Sequence, residues 1–330
     1  MFLGGMFISF IFGCASSKQF AGQIGILPGK IQEINDPLLK SPITSMLFST
    51  DNAGSNILYA ATEDSGVVRS TDMGIHWNKF SSGFGSAYVS QLAQNSRGDI
   101  FAATIGGGIF ELPVKTEGWK RVDMSVGGDE LTRVTALVIS PRNNSIYVAT
   151  LEHGVYKSSD NGATWVSFSE GLGILNINTL AITDYDMLYL RCVGDGVSRR
   201  AKSWIEWKPL NDSIDDPYTT IIGFQHNGPV FCGTRNGAAF RMSKDDTHWE
   251  NISTGLPKDI INCFGSSESG AMLAGTKQGI YKFNADSLRW DCLSDATQSM
   301  NIRSICVLLD GTTFAGTESD GILKFTLPLQ

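Results

Sequence analysis

One repeat unit runs through nearly the whole chain, and it constrains the fold more than any other feature of the sequence. Six tryptophans recur at intervals of 41 to 46 residues: Trp77, Trp119, Trp165, Trp207, Trp249 and Trp290. A second series, an aromatic residue or leucine followed mostly by small residues, begins at Tyr59, Phe101, Tyr147, Tyr189, Phe231, Leu273 and Phe314. A third series places glycine before a short apolar step at Gly66, Gly108, Gly154, Gly196, Gly279 and Gly321, with Ala238 in the fifth copy. Three series that share one period indicate seven structural repeats.

Each repeat predicts four short β-strands separated by turns. The third copy shows the pattern, because Val134–Ile139 is a nearly continuous apolar run and two further strand-like segments follow it before Trp165. No window of the chain has a sustained helical period. Four strands in about 40 residues predict an all-β chain, a seven-bladed β-propeller of four-stranded antiparallel blades. One blade cannot bury both of its faces alone, so we expect the blades to stack around a ring.

The last repeat is incomplete, since residues 301–327 supply three strands and no fourth. Ile31 precedes Ile43 by 12 residues, which is also the interval that separates Trp77 from Val89. We therefore expect residues 31–34 to form the outer strand of the seventh blade. This pairing closes the ring and removes an open sheet edge.

The N-terminus differs in composition from the repeats. Phe2–Gly13 is apolar or small apart from Ser9, which suits the core of a signal peptide and is too short to span a bilayer. Cys14 and the small residues that follow it resemble a bacterial lipobox, and the resemblance implies a lipid on Cys14. An ordinary signal peptide and a mis-assigned start codon are the alternatives, because no Lys or Arg precedes the apolar run.

The expected organisation is a signal peptide with a lipobox over residues 1–14, a tether over 15–29 and the propeller over 30–330. It predicts an exported lipoprotein, periplasmic or at the cell surface, that meets the membrane only through its lipid. Ala15 carries no inner-membrane retention signal of the aspartate type, so the resemblance implies the outer membrane in a Gram-negative cell.

The turn before each repeat tryptophan carries the sharpest motif. Residues 158–165 read S-x-D-x-G-x-T-W, and residues 70–77 match this pattern except at His76. The motif resembles the Asp box, the bacterial neuraminidase repeat, which occurs in sialidases, some glycoside hydrolases, sortilin-like receptors and propellers of the photosystem II assembly-factor type. The resemblance covers residues 31–327 and implies a propeller architecture without a particular activity.

The chemistry of this motif is structural. Asp and Ser oxygens accept backbone N–H groups in a turn, Gly permits a positive φ, and Trp buries a large aromatic surface. In the family these turns lie at the periphery, so the resemblance implies a fold role rather than catalysis. The residues expected to have this role are Ser70, Asp72, Gly74, Trp77, Ser158, Asp160, Gly162, Thr164 and Trp165.

The net charge and the placement of the basic residues argue against some classes of partner and for others. The net charge of −7 argues against a nucleic-acid partner, because neutralising phosphates requires a basic surface. The one local concentration of arginines, in the fourth repeat, is a candidate patch for an anionic partner: Arg191, Arg199 and Arg200. Basic residues also follow the glycine series by three positions in most copies, where a solvent-facing strand position is the simpler interpretation.

The residues expected of an enzyme are missing or badly spaced. The segment 30–50 contains no Arg, so the Arg-Ile-Pro element of a sialidase is absent. The paired carboxylates Asp129-Glu130 and Asp215-Asp216 are adjacent residues, which is typical of solvated turns. The four His and six Cys show no metal-ligand spacing, and we predict no catalytic, cofactor or metal site.

Two functions follow from these observations. The first is an exported, lipid-anchored propeller that serves as a non-enzymatic protein-binding or assembly platform. Its organisation is most similar to the photosystem II assembly-factor-like and sortilin-type propellers. The alternative is a carbohydrate-binding or glycoside-hydrolase propeller of the sialidase-like kind, because Asp boxes occur in such enzymes.

Overall fold

A computed structural model describes residues 30–50, 55–84, 88–192, 194, 196–211, 213–214 and 218–327. Within these ranges the chain is all-β, and seven sheets each contain four antiparallel strands. The predicted seven-bladed propeller is confirmed. The expected signal peptide (1–14), Cys14, the tether (15–29) and Asp215-Asp216 lie outside the described residues. No helix among the described residues is long and apolar enough to cross a bilayer.

The strands follow the repeats in chain order. The described part begins with β1 (Gln32–Ile34) and a short 3-10 helix at Pro37–Leu39. Blade 1 contains β2 (Ile43–Thr50), β3 (Asn56–Thr62), β4 (Val67–Ser70) and β5 (Asn78–Lys79). Blade 2 contains β6 (Tyr88–Gln94), β7 (Ile100–Ile105), β8 (Gly108–Leu112) and β9 (Lys120–Val122). A hairpin that the repeat pattern did not predict follows, formed by β10 (Ser125–Val126) and β11 (Asp129–Glu130).

Blade 3 contains β12 (Val134–Ile139), β13 (Ile146–Thr150), β14 (Val155–Ser158) and β15 (Val166–Ser167). Blade 4 contains β16 (Ile177–Ile182), β17 (Met187–Cys192), β18 (Gly196–Ala201) and β19 (Lys208–Pro209). Blade 5 contains β20 (Thr219–Phe224), β21 (Val230–Thr234), β22 (Ala239–Met242) and β23 (Trp249–Asn251). Blade 6 contains β24 (Ile261–Ser266), β25 (Met272–Thr276), β26 (Gly279–Asn284) and β27 (Arg289–Cys292), and a second 3-10 helix follows at Asp295–Thr297. Blade 7 contains β28 (Ile302–Val307), β29 (Thr312–Thr317) and β30 (Ile322–Thr326).

The seventh blade is completed by the strand that precedes the first. β1 pairs antiparallel with β30, with Gln32 opposite Lys324 and Ile34 opposite Ile322. Ile31 packs against the apolar cluster that contains Trp290. The ring is therefore closed by main-chain hydrogen bonds between the two ends of the repeat region, as the sequence predicted.

Side-chain hydrogen bonds join the innermost strands into a continuous circuit. In each blade a Ser, Thr or Asn near the start of the innermost strand donates to a main-chain carbonyl of the next blade. The seven donor–acceptor pairs are Thr44–Val89, Ser90–Val134, Thr135–Ile177, Thr179–Thr220, Thr220–Ile261, Asn262–Ile302 and Ser304–Ile43, with distances between 2.6 and 3.3 Å. Each innermost strand also has a one-residue register shift at this end, which bends the strand there.

The core lies between neighbouring blades. The six repeat tryptophans are all at most 9% exposed. One cluster joins blades 1 and 2, where Phe84 packs on Phe110 with ring centroids 4.6 Å apart and on Trp119 with centroids 4.8 Å apart. Burying one such aromatic ring stabilises the fold by about 1.5–3 kcal/mol. The described cysteines form no disulfide, and all but Cys292 are buried, as expected for small core residues.

The glycine series marks a close approach between loops. Gly154 has φ +79, and a Cβ there would collide with the hydroxyl of Ser169. That hydroxyl accepts the N–H of Val155 at 2.9 Å and so holds the start of the third strand. In the fifth copy, where the sequence has Ala238, the positive φ moves to the preceding residue, Gly237.

We predict that Gly154→Ala lowers the free energy of unfolding by about 2 kcal/mol, since alanine is strained at positive φ and its Cβ displaces Ser169. The matched control is Gly173→Ala, because no atom lies within 4 Å of a Cβ built there. Chemical denaturation of both variants measures the difference. An equal loss of unfolding free energy in the two variants would show that the contact between Gly154 and Ser169 does not contribute to stability.

Candidate functional site at the mouth face

The propeller has two faces that differ in their loops. We call the end where the innermost strands begin the mouth face. It carries the connections between blades and the loops between the second and third strands of each blade. The opposite end, the turn face, carries the turns between the first and second strands and between the third and fourth strands, which include the two best-preserved Asp-box turns, 70–77 and 158–165.

The first Asp-box turn is held by its own side chains. The Ser70 hydroxyl donates to Asp72 Oδ1 at 2.7 Å and accepts the Gly74 N–H at 2.8 Å. Asp72 Oδ1 also accepts the His76 N–H at 2.9 Å. Partial burial alone would raise the pKa of Asp72, but the hydrogen bonds from His76 and Ser70 lower that pKa to about 2.

The turn in blade 3 repeats this arrangement with Thr in place of His. Ser158 donates to Asp160 Oδ1 at 2.8 Å and accepts the Gly162 N–H at 2.8 Å. The Thr164 hydroxyl donates to Asp160 Oδ2 at 2.6 Å, and the Thr164 N–H donates to Oδ1 at 2.9 Å. The bonds from Thr164 and then Ser158 lower the pKa of the Asp160 carboxyl to about 2. This carboxylate is engaged by its own turn.

The repeat tryptophans use two different acceptors. Trp77 and Trp165 donate their indole N–H to the glycine carbonyl of their own turn, at 3.1 Å in both cases. In the four degenerate turns the indole N–H reaches a carbonyl of the preceding blade at 2.6 to 2.9 Å. These pairs are Trp119–Phe80, Trp207–Phe168, Trp249–Leu210 and Trp290–Ile252. Loss of the turn glycine is therefore accompanied by a direct hydrogen bond between blades.

We predict that the stabilising effect of Asp160 depends on pH. Its folded pKa lies below the ordinary value of 3.8, so its contribution is present above that value and is lost as the pH falls towards about 2. The difference in free energy of unfolding between the wild type and Asp160→Asn should therefore shrink between about pH 4 and about pH 2. Asp286→Asn is the control, because that exposed carboxylate accepts none of these bonds. A pH-independent difference would contradict the assignment.

The structure does not bring the three arginines of the predicted patch together. Arg199 lies opposite Tyr189 in the sheet and Arg200 lies opposite Leu188, so their side chains leave opposite faces of the sheet. Arg200 is 6% exposed and donates to Glu170 Oε2 at 3.0 Å, with its guanidinium 3.6 Å from the centroid of the Phe168 ring. Arg199 lies over Trp204, a tryptophan that stands where the turns of blades 1 and 3 have their glycine.

The basic series along the third strands is a packing feature. Arg69 lies 4.1 Å from the centroid of the Phe80 ring, and Lys324 lies 5.4 Å from that of Phe314. Arg241 forms an ion pair with Glu250. These cations cover aromatic rings or meet carboxylates, in agreement with the simpler interpretation of the sequence.

Arg191, by contrast, lies at the mouth face and lacks an anionic partner among the described residues. It is near the end of β17, where the next residue, Cys192, pairs with Ile177 at the start of the innermost strand. Burial lowers its pKa, and the nearby charge of Arg235 lowers it further. Seven other arginines do have a carboxylate within 3.0 Å: Arg69, Arg121, Arg133, Arg200, Arg241, Arg289 and Arg303.

Several buried polar atoms around Arg191 also lack hydrogen-bond partners in the described part of the chain. They are Asn176 Oδ1, Asn178 Oδ1, Arg191 Nε and Thr219 Oγ1. Asn176 and Asn178 flank the first residue of β16, and the fully buried Thr219 begins β20 in the next blade. Sequence reasoning named Arg191 but missed the other three residues. One signal was available, since Asn178 stands where four other blades have a Ser or Thr that joins the circuit.

A cleft between blades 5 and 6 opens at the same face. It is lined by Arg235, Asn236, Lys258, Asp259, Ile260 and Lys277 and encloses about 510 Å³. Arg235, Lys258 and Lys277 form no ion pair with any described residue, and Asp259 is the one carboxylate in the lining. Asp259 Oδ2 accepts from Gln278 at 3.2 Å. The cleft and Arg191 together form what we call the basic site.

A second cluster lies across the mouth, where blades 7, 1 and 2 meet. Arg303 contacts Glu318 Oε2 at 2.6 Å and Glu63 Oε1 at 3.0 Å, and the Tyr88 hydroxyl donates to Glu63 Oε1 at 3.1 Å. Burial raises the pKa of Glu63 despite the neighbouring guanidinium. Burial also raises the pKa of Tyr88 far above its ordinary value. In the described part of the chain, no group of three or more His, Cys, Asp or Glu side chains is arranged to hold a metal ion.

Comparisons with known proteins show the fold and leave the activity open. No family model matches the chain, and no curated protein matches it. Virginiamycin B lyase from Staphylococcus aureus superposes with a TM-score of 0.75 at 12% identity, covering 91% of this chain and 99% of the lyase. YCF48 from Cyanidioschyzon merolae gives 0.69 at 14% identity, covering 90% and 98%. The extracellular domain of the putative hybrid two-component system BT3049 from B. thetaiotaomicron gives 0.72 at 15% identity, and this chain spans 41% of it.

These neighbours are seven-bladed β-propellers. They include an enzyme, an extracellular domain and a protein that has also been solved bound to a D1 peptide, with a TM-score of 0.70 at 12% identity. Identities this low establish a shared architecture.

Proposed function

We propose that this chain is an exported propeller that binds a protein partner at its mouth face and performs no chemistry on it. The observation that carries the proposal is the set of unpartnered polar atoms around Arg191. A buried polar group without a partner costs about 1–3 kcal/mol, and a charged group costs more. A bound partner that supplies the missing donors and acceptors removes that cost.

The comparisons support this proposal. YCF48, which shares the fold, has been solved with a peptide bound to it, and the B. thetaiotaomicron domains are extracellular. The motif geometry around Asp72 and Asp160 supports membership of the Asp-box superfamily, in which propellers serve as binding modules as well as enzymes. The circuit around the innermost strands supplies the rigid frame that a docking surface needs.

The proposal includes export and anchoring. Residues 1–14 contain the signal peptide with its lipobox, cleavage before Cys14 leaves that residue to carry the lipid, and residues 15–29 form the tether to the propeller. We predict that cells expressing the full chain incorporate labelled palmitate into it and that Cys14→Ala abolishes the labelling. Cys292→Ala is the control, because this less buried thiol lies within the propeller. Labelling that persists in Cys14→Ala would refute the anchor.

We predict that Arg191→Met weakens partner capture from envelope fractions by about tenfold or more, since charge-assisted hydrogen bonds contribute about 1.5–3 kcal/mol each. The same variant should be as stable as the wild type or more stable, because it removes a half-buried charge that has no anionic partner among the described residues. Arg97→Met is the control, since Arg97 is exposed in a turn at the opposite face. Undiminished partner capture by Arg191→Met would refute the assignment of the surface around Arg191 as the partner-binding site.

A second candidate function, carbohydrate binding or hydrolysis, is favoured by the cluster of Arg303, Glu63, Glu318 and Tyr88. A carboxyl with a raised pKa beside a second carboxylate is the arrangement that glycoside hydrolases use for general acid catalysis. If this candidate is correct, a screen of sialosides and β-glucans finds turnover that Glu63→Gln abolishes. Glu206→Gln, an exposed carboxylate at the turn face, keeps that turnover. A screen without binding or turnover would exclude it.

A further inference from the structure

We infer that the basic site binds an extended acidic peptide segment, with Arg191 and the cleft between blades 5 and 6 as its two contact points. The inference rests on the proposed function, because it names the chemistry of the partner at the same face. The observations behind it are the free cations of the site, its free acceptors and the distribution of charge around the mouth.

The cations of the basic site have no anionic partner in the part of the chain that the structure describes. Arg191, Arg235, Lys258 and Lys277 form no ion pair with any described residue, whereas most arginines elsewhere in the described chain do. Arg235 links the two contact points, because its charge acts on Arg191 and its side chain lines the cleft. Two guanidinium groups and two ammonium groups in succession provide donors for several carboxylates rather than for one small anion.

The unpaired acceptor and donor atoms of the site favour a peptide as the ligand. Asn176 Oδ1 and Asn178 Oδ1 are buried oxygens that need a donor, and Arg191 Nε is a buried donor that needs an acceptor. A peptide backbone offers both kinds of group, since each residue other than proline has one N–H and one C=O. Phosphate offers mainly acceptor oxygens, so it would leave the asparagine oxygens unpaired. The site therefore matches main-chain recognition beside carboxylate recognition.

The opposite side of the mouth determines where an acidic segment can lie. The loops of blades 1 and 7 carry four carboxylates, Glu63, Asp64, Glu318 and Asp320, and Arg303 contacts two of them. Like charges repel, so an acidic segment is disfavoured over blades 7 and 1.

The test uses the full-length chain in mild detergent and three dye-labelled peptides followed by fluorescence anisotropy. One peptide is rich in Glu and Asp, the second replaces those residues with Gln and Asn, and the third is rich in Lys. We expect the acidic peptide to bind about tenfold or more tightly than its amide counterpart, and the Lys-rich peptide not to bind. Binding of the acidic peptide should weaken as salt is added.

Variants and a competitor locate the binding. The double variant Arg235→Gln/Lys277→Gln should weaken acidic-peptide binding by about tenfold, while Arg97→Gln/Lys79→Gln, with exposed cations outside the site, should not. Inorganic phosphate at the concentration of the peptide should not displace it. Equal binding of the acidic and amide peptides, full competition by phosphate, or equal loss in the control variant would each overturn the inference. Partner capture that depends on Arg191 without any acidic-peptide binding would overturn the peptide chemistry and leave the platform intact.

Discussion

The hydrogen-bonded circuit around the innermost strands is the constraint on which the rest of this molecule depends. Each blade donates a side-chain hydrogen bond to the main chain of the next, and Ser304 returns the circuit to Ile43. The pairing of β1 with β30 closes the outside of the same ring. Because every blade is held from both sides, the ring provides a rigid frame, and groups can be held at its mouth without partners of their own.

In two blades the hydrogen bond of the circuit is donated by a different residue, and the position left over carries a side chain with other contacts at the mouth face. Asn178 and Arg303 occupy the position that a Ser or Thr fills in four other blades, and in both blades the following residue, Thr179 or Ser304, makes the bond instead. This transfer frees the side chain of Asn178 beside Arg191 and that of Arg303 between two glutamates. The circuit is preserved while two of its members take on new contacts.

In the tryptophan turns, too, one hydrogen bond takes the place of another. Where the Asp box is complete, the turn is held by its own Ser and Asp, and the indole N–H stays within it. Where the glycine is absent, the indole N–H binds the preceding blade directly. Degeneration of the motif is therefore compatible with a stable ring, because the lost contacts within the turn are accompanied by contacts between blades.

The sequence by itself determined the number of blades, their four strands and the closure by residues 31–34. These features are encoded by short-range patterns that recur at every period, so each copy reinforces the others. The hairpin of β10 and β11 escaped this reasoning because it belongs to no repeat.

The sequence did not determine which cations are free. Arg199 and Arg200 are neighbours in the chain but leave opposite faces of one strand, and Arg200 contacts Glu170 in the connection between blades 3 and 4. Arg303 meets Glu63 from 240 residues away. Only the tertiary structure decided that Arg191 lacks an anionic partner in the described part of the chain, since whether a charge is paired depends on what the ring brings to it.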